Sequence, residues 1–127
     1  MTIALYCVFI AAFLPYLVLP YAKWSSAYLK GGNNAPRRFA ESLSGSKQRA
    51  YWAHQNGLEA FPPFAAVVII ATVVGRGGTA IDALAVAFIV TRVIYTLVYI
   101  ADWATLRSTV WFAGLGCVLA MIGVIVV

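Results

Sequence analysis

Four apolar runs, each long enough to cross a bilayer, leave this chain of 127 residues little choice of architecture. About 20 consecutive apolar residues cover the hydrocarbon core as a helix, and a chain inside it must satisfy its backbone internally, as helices or a closed barrel. With 63% apolar and only 10% charged residues, the sequence is that of an integral membrane protein. The runs take up nearly the whole length, so residues 1–127 read as one domain: an all-α integral membrane protein, a bundle of four transmembrane helices. No soluble catalytic domain is expected beside it.

The first run is Thr2–Ala22. No Lys or Arg precedes it and no small-x-small cleavage site follows, so it reads as a span rather than a signal peptide. Pro15 and Pro20 are expected to kink its second half or end it. Lys23–Ser46 is polar and rich in breakers (Gly31, Gly32, Asn33, Asn34, Pro36) and reads as the longest loop. The second helix is predicted over Ser46–Val74, roughly 40 Å at the α-helical rise, with its first two turns interfacial and a bend at Pro62 and Pro63. Gly75–Gly78 is a tight turn, Thr79–Ala101 the third span, Asp102–Leu106 a short turn and Ser108–Val127 the fourth span.

Charge orients the bundle. Lys23, Lys30, Arg37, Arg38, Lys47 and Arg49 lie in or beside the first loop against one acid, Glu41, whereas the opposite side offers Arg76 and Asp82. By the positive-inside rule the first loop and the Asp102 turn are cytoplasmic and both termini face away. This topology accounts for the net charge of +5 without a nucleic-acid partner. Cys7 and Cys117 sit in apolar runs, and with the lone His54 they give no metal-ligand spacing, so no metal is expected. Trp24, Trp52, Trp103 and Trp111 fall near span ends and read as interfacial anchors. Gly114, Gly116 and Gly123 read as helix-packing positions.

Against this background the stretch RAYWAHQNGLEAFPPF, Arg49–Phe64, stands out, because it writes charge and amide into a spanning helix. A carboxylate there costs roughly 2.5 to 3.5 kcal/mol on insertion scales and persists only against a bundle interior or a wet cavity. Arg49, Ala53, Asn56, Glu59 or Ala60, and Pro63 share one face by helical spacing. Arg92, Tyr95 and Tyr99 form a second stripe on the third helix, and Arg107 and Ser108 open the fourth. Glu59 and Arg92 could simply neutralise one another. The set is nevertheless larger than one ion pair needs, and it suits a zwitterionic or anionic ligand: arginine grips carboxylates bidentately, Glu59 can hold an ammonium, and tyrosine and asparagine fix amides.

The run RAYWAHQNGLEAFPPF, followed by RVIYTLVYIADWATLRS, resembles the MAPEG family, the membrane-associated proteins in eicosanoid and glutathione metabolism. The loop NAPRRFAESLSGSKQRA is similar to the bacterial branch of that family. The resemblance implies homotrimers of four-helix subunits in the bacterial inner membrane, with glutathione as co-substrate between subunits near the cytoplasmic side. It maps glutathione contacts onto Asn56, Glu59, Arg92, Tyr95 and Tyr99, with Arg49 on the same polar face and Lys23 as a further basic position. Arg107 matches the residue held to stabilise the thiolate, and Ser108 a neighbouring hydroxyl proposed for the same role. A lipophilic molecule would enter laterally from the bilayer. Two positions depart from the pattern: Trp52 stands where leukotriene-forming members carry an arginine, and Gln55 where the prostaglandin-forming branch carries a basic residue. The QN pair is similar to that of a non-enzymatic lipid-binding member. That member, however, has aspartate where this chain keeps Glu59, and it lacks the arginine matching Arg107. The expectation is therefore a membrane glutathione transferase or peroxidase, with a non-catalytic lipid-binding or sensor protein of the same fold as the alternative.

Overall fold

The structure, a computed structural model, describes residues 1–127 apart from the side chain of Ser26. It is helical along nearly its whole length, and four helical stretches are long and apolar enough to cross a membrane: Ile3–Lys23, Gly45–Val73, Thr79–Ile100 and Ala104–Val126.

The first span is built from three pieces, α1 (Ile3–Phe13), a 3-10 turn (Leu14–Val18) and α2 (Leu19–Lys23). Thr2 caps its start, accepting from the Leu5 N–H at 3.3 Å. Asp82, at the start of the third span, accepts from the Ala4 N–H at 2.7 Å. These carboxyl and hydroxyl oxygens serve donors that have no partner within the first turn. Pro15 and Pro20 lack the N–H that continues an α-helix, and the result is a change of winding that keeps the span going. His54 of the second span, buried, donates from Nδ1 to the Pro15 carbonyl oxygen at 2.8 Å. Beside it Gly57 faces Pro15 so closely that a Cβ there would lie 2.8 Å from Pro15 Cγ. The missing side chain is what lets the kink rest on the second span.

The segment read as a plain loop is more ordered than its breakers suggest. It holds α3 (Ser26–Lys30), a 3-10 turn (Gly32–Asn34) and α4 (Pro36–Glu41). Ser25 caps α3, accepting from the Tyr28 N–H at 3.2 Å. Pro36 opens α4 at the one helical position where its missing N–H costs nothing. The Tyr28 and Phe39 rings meet at 5.3 Å. Local capping residues, rather than hydrophobic periodicity, make these short helices.

The remaining spans are single helices: α5 (Gly45–Val73), α6 (Thr79–Ile100) and α7 (Ala104–Val126). α5 continues as α-helix through Pro62 and Pro63. It ends in a Schellman motif, with Gly75 at φ +70° and the Gly75 and Arg76 N–H groups bonded to the Thr72 and Ala71 carbonyls. α6 ends the same way with Asp102 at φ +65°, its N–H and that of Trp103 returning to Tyr99 and Val98. One left-handed residue reverses the chain so sharply that α7 restarts at Ala104. The fourth span therefore begins four residues before Ser108, and Arg107 sits inside its first turn, its N–H already bonded to the Trp103 carbonyl at 2.8 Å.

α6 is central, packing against α1, α5 and α7. The apolar core joins Ala4, Cys7 and Ala11 to Phe64, Val67, Val68 and Ala71, to Ile81, Ala85 and Phe88, and to Val118 and Met121. Phe64 and Phe88 stack with centroids 4.1 Å apart. These residues all lie toward the bundle end that carries the Gly75–Gly78 turn, which leaves the polar stripes of α5 and α6 to the other end.

A methyl group at position 57 must displace Pro15 or the helix carrying it. Gly57→Ala is expected to lower stability by about 1–3 kcal/mol, the usual cost of overpacking. Gly77→Ala, where a Cβ meets nothing within 4 Å, is the matched control, and thermal unfolding in detergent compares the two.

Candidate functional site

A membrane helix carrying arginine needs a partner for it, and Arg92 finds an amide. Its Nη1 donates to Asn56 Oδ1 at 3.1 Å. The residue is only 6% exposed, and its Nε has no partner among the described residues. The guanidinium lies over the Tyr95 ring at 4.6 Å and the Phe88 ring at 5.6 Å, faces that attract a cation through the ring quadrupole. Glu59 does not neutralise it: among the described residues no ion pair joins the two, and Glu59 is exposed. The charge is thus held without a counterion.

Asn56, Glu59, Ala60 and Pro63 line one side of a groove of about 540 Å³, Phe88 and Arg92 its floor, and Trp111, Gly114, Leu115 and Val118 the other side. The stripe expected on the second helix is therefore present from Asn56 to Pro63. Two of its proposed members lie elsewhere. Ala53 is buried toward the first span, where it lines a smaller cavity beneath Pro15. Arg49 donates from Nε to the Ile100 carbonyl at 3.0 Å, serving a carbonyl that the end of α6 leaves free; it does not line the groove.

A second cleft, about 310 Å³, adjoins the first and is bordered by Tyr95, Arg107, Ser108, Trp111 and Phe112. The Arg107 guanidinium rests on the Tyr99 ring at 4.6 Å, and Tyr99 meets Tyr95 edge-on at 5.5 Å. Arg92, Tyr95, Tyr99 and Arg107 thereby form one column along α6 and the start of α7. Trp52 tilts against Tyr99 at 6.5 Å and so touches this column. Arg107 makes no side-chain hydrogen bond or ion pair among the described residues. Ser108 Oγ donates to the Ala104 carbonyl at 3.2 Å, within its own helix.

Two residues matter more than the sequence suggested. Trp111, read as an interfacial anchor, borders both clefts. Gly114 is buried against Arg92 and Thr91, whereas a Cβ at Gly116 or Gly123 would meet nothing within 4 Å; the three glycines are not equivalent packing positions. The signal was present in the spacing, since Ser108, Trp111, Leu115 and Val118 recur at three and four residues.

Fold and site together define a multi-pass membrane protein, a four-helix bundle with a largely apolar groove between its spans that carries Asn56, Glu59 and Arg92. A family model, that of the MAPEG family, matches residues 3–127, essentially the whole chain, and the chain belongs to that family. Comparison with curated proteins and with solved structures finds no match.

Removing the oxygen that Arg92 bonds leaves a buried charge without a polar partner. Asn56→Leu is therefore expected to destabilise the protein by about 1–3 kcal/mol. Asn56→Asp, which keeps an acceptor, is expected to retain most of the stability. Denaturant unfolding in mixed micelles followed by tryptophan fluorescence checks the order.

Proposed function

We propose that the chain is a membrane-bound glutathione transferase or glutathione-dependent peroxidase that acts on hydrophobic electrophiles or lipid hydroperoxides. Membership of the MAPEG family supports an activity of this general type. The observation that carries the reading is Arg107: a guanidinium with no polar partner of its own, bordering a cleft that adjoins a groove lined by Asn56, Glu59 and Arg92.

The groove's donor set fits a thiol tripeptide. Arg92 brings a positive charge to the groove floor that favours a carboxylate, Glu59 an oxygen to an ammonium, and Asn56 an amide. A free thiol titrates near about 8.5, and the thiolate is the nucleophile. A guanidinium beside the sulfur lowers that value and raises the reactive fraction at neutral pH; this is the role given to Arg107. In transfer, the thiolate sulfur bonds to the electrophilic carbon and the leaving group departs with its electron pair. In peroxide reduction, two thiols deliver two electrons and two protons to the O–O bond, giving alcohol, water and a disulfide. Ser108 is assigned the supporting hydroxyl, which requires it to exchange the Ala104 carbonyl for the sulfur.

Glu59 supports a further part of the reading. It is exposed on a single chain at a depth where lipid cannot solvate a carboxylate. We take that face to be covered by a second copy, in a homotrimer whose groove lies between subunits. The basic first loop orients the groove toward the cytoplasm, in a bacterial inner membrane, with both termini on the far side.

One observation favours a non-catalytic lipid-binding role instead: Trp52 places an apolar ring against Tyr99, at the position where leukotriene-forming members carry an arginine.

The discriminating experiment titrates the detergent-solubilised protein with glutathione and follows thiolate absorbance at neutral pH. A saturable signal is expected, abolished in Arg107→Ala with the oligomer retained, and binding weakened in Glu59→Gln. Absence of any binding, with lipid co-purifying in stoichiometric amount, overturns the transferase reading in favour of lipid binding.

A further inference from the structure

Arg92 is held from three sides, and the fourth is an empty position. A Cβ built on Gly114 would sit 2.9 Å from Arg92 Nη2, 3.5 Å from its Cζ and 3.0 Å from Thr91 Oγ1. The Nη2 and Oγ1 separations are shorter than ordinary van der Waals contact, so a methyl group there requires the guanidinium to shift from its observed position. Both neighbours are already engaged, so yielding disturbs other contacts. Thr91 Oγ1 donates to the Phe88 carbonyl at 2.7 Å, and Arg92 is bonded to Asn56 and packed over the Phe88 and Tyr95 rings.

We propose that Gly114 is a positioning residue for the thiol-tripeptide groove, its missing side chain forming with Thr91 the socket that seats the Arg92 guanidinium. The proposal rests on the reading of the groove as a glutathione site. Gly114 touches no substrate; it acts through Arg92. With the socket filled, the guanidinium is driven off α7 toward α5, straining its bond to Asn56 and shifting the charge it brings to the groove floor. A site needs its groups within a fraction of an ångström, and misplacement of about 1 Å costs as much as about a hundredfold.

The test is a double-mutant cycle on the full-length, detergent-solubilised protein, with glutathione binding measured by calorimetry and turnover measured with a hydrophobic electrophile. Gly114→Ala is expected to weaken binding about tenfold, appearing in KM for the thiol with kcat little changed, while Gly116→Ala leaves both at the wild-type value. Arg92→Lys shortens the side chain and removes Nη2 and Cζ from the path of the new methyl, leaving Thr91 Oγ1 as the one close contact. In that background the added effect of Gly114→Ala is expected to fall below about twofold, the non-additivity of residues in contact. Should Gly114→Ala fail to assemble, its recovery in the Arg92→Lys background supports the socket, and continued misassembly overturns it. Wild-type binding with equal losses for Gly114→Ala in both backgrounds, or no loss in either, overturns the socket alone. Absence of glutathione binding to the wild-type protein overturns the groove reading and the socket with it.

Discussion

The bundle is organised around one buried guanidinium. An arginine at mid-helix costs roughly 2.5 to 3.5 kcal/mol on insertion scales, and Arg92 is almost fully enclosed. A carboxylate partner would recover part of that cost, but would leave two desolvated charges to be satisfied. This chain uses weaker partners instead: one amide oxygen from α5, two aromatic faces from its own helix and a close backbone approach from α7. A charge-assisted hydrogen bond is worth about 1.5–3 kcal/mol and each cation–aromatic contact about 0.5–2, which matches the cost in order of magnitude. Because these partners come from three spans, Arg92 fixes their mutual register. It also leaves Glu59 without an ion-pair partner among the described residues.

The same economy governs the helix ends. Asp82 closes the start of the first span, Arg49 the end of the third, and His54 the carbonyl of Pro15 at the kink. In each case a polar side chain of one span serves a main-chain group of another, in surroundings where water is scarce and every such group must be satisfied within the protein. These contacts couple the spans near their ends, while the apolar cluster from Phe64 to Met121 couples them through one half of the depth. Three of the polar residues in an otherwise apolar sequence are thereby accounted for by folding alone.

Hydropathy and turn chemistry made the spans legible to within a few residues, because run length, Pro and Gly act locally. The start of the fourth span was missed for the same reason. Nothing in the local pattern says that Asp102 adopts the left-handed conformation that compresses the turn. Helical spacing likewise gave the faces of Asn56, Glu59, Arg92 and Tyr95. Spacing assigns a face and not a neighbour, so it put Arg49 on the stripe with Asn56, although its long side chain reaches the end of α6. It could not separate Gly114 from Gly116, which differ only in what α6 sets opposite them. Trp111 read as an anchor because interfacial position and groove lining make the same demand on tryptophan, an apolar body with a polar edge.

Under the proposed function, the two arginines of the column have different parts. Arg92 is buried, bonded and stacked, so its position is fixed before any ligand arrives. Arg107, half-buried on Tyr99, has a guanidinium with no hydrogen-bond partner among the described residues. A group that must stabilise charge developing on a reacting atom acts best when no existing bond has to be broken first, and when a rigid surface holds it close to its working geometry. The Tyr99 face supplies that surface, and the edge contact between Tyr99 and Tyr95 ties it to the seat of Arg92. Fixing the structural charge is thus what allows the second one to remain available. A chain that moved Arg107 into an ion pair would gain a contact and lose the chemistry proposed for it.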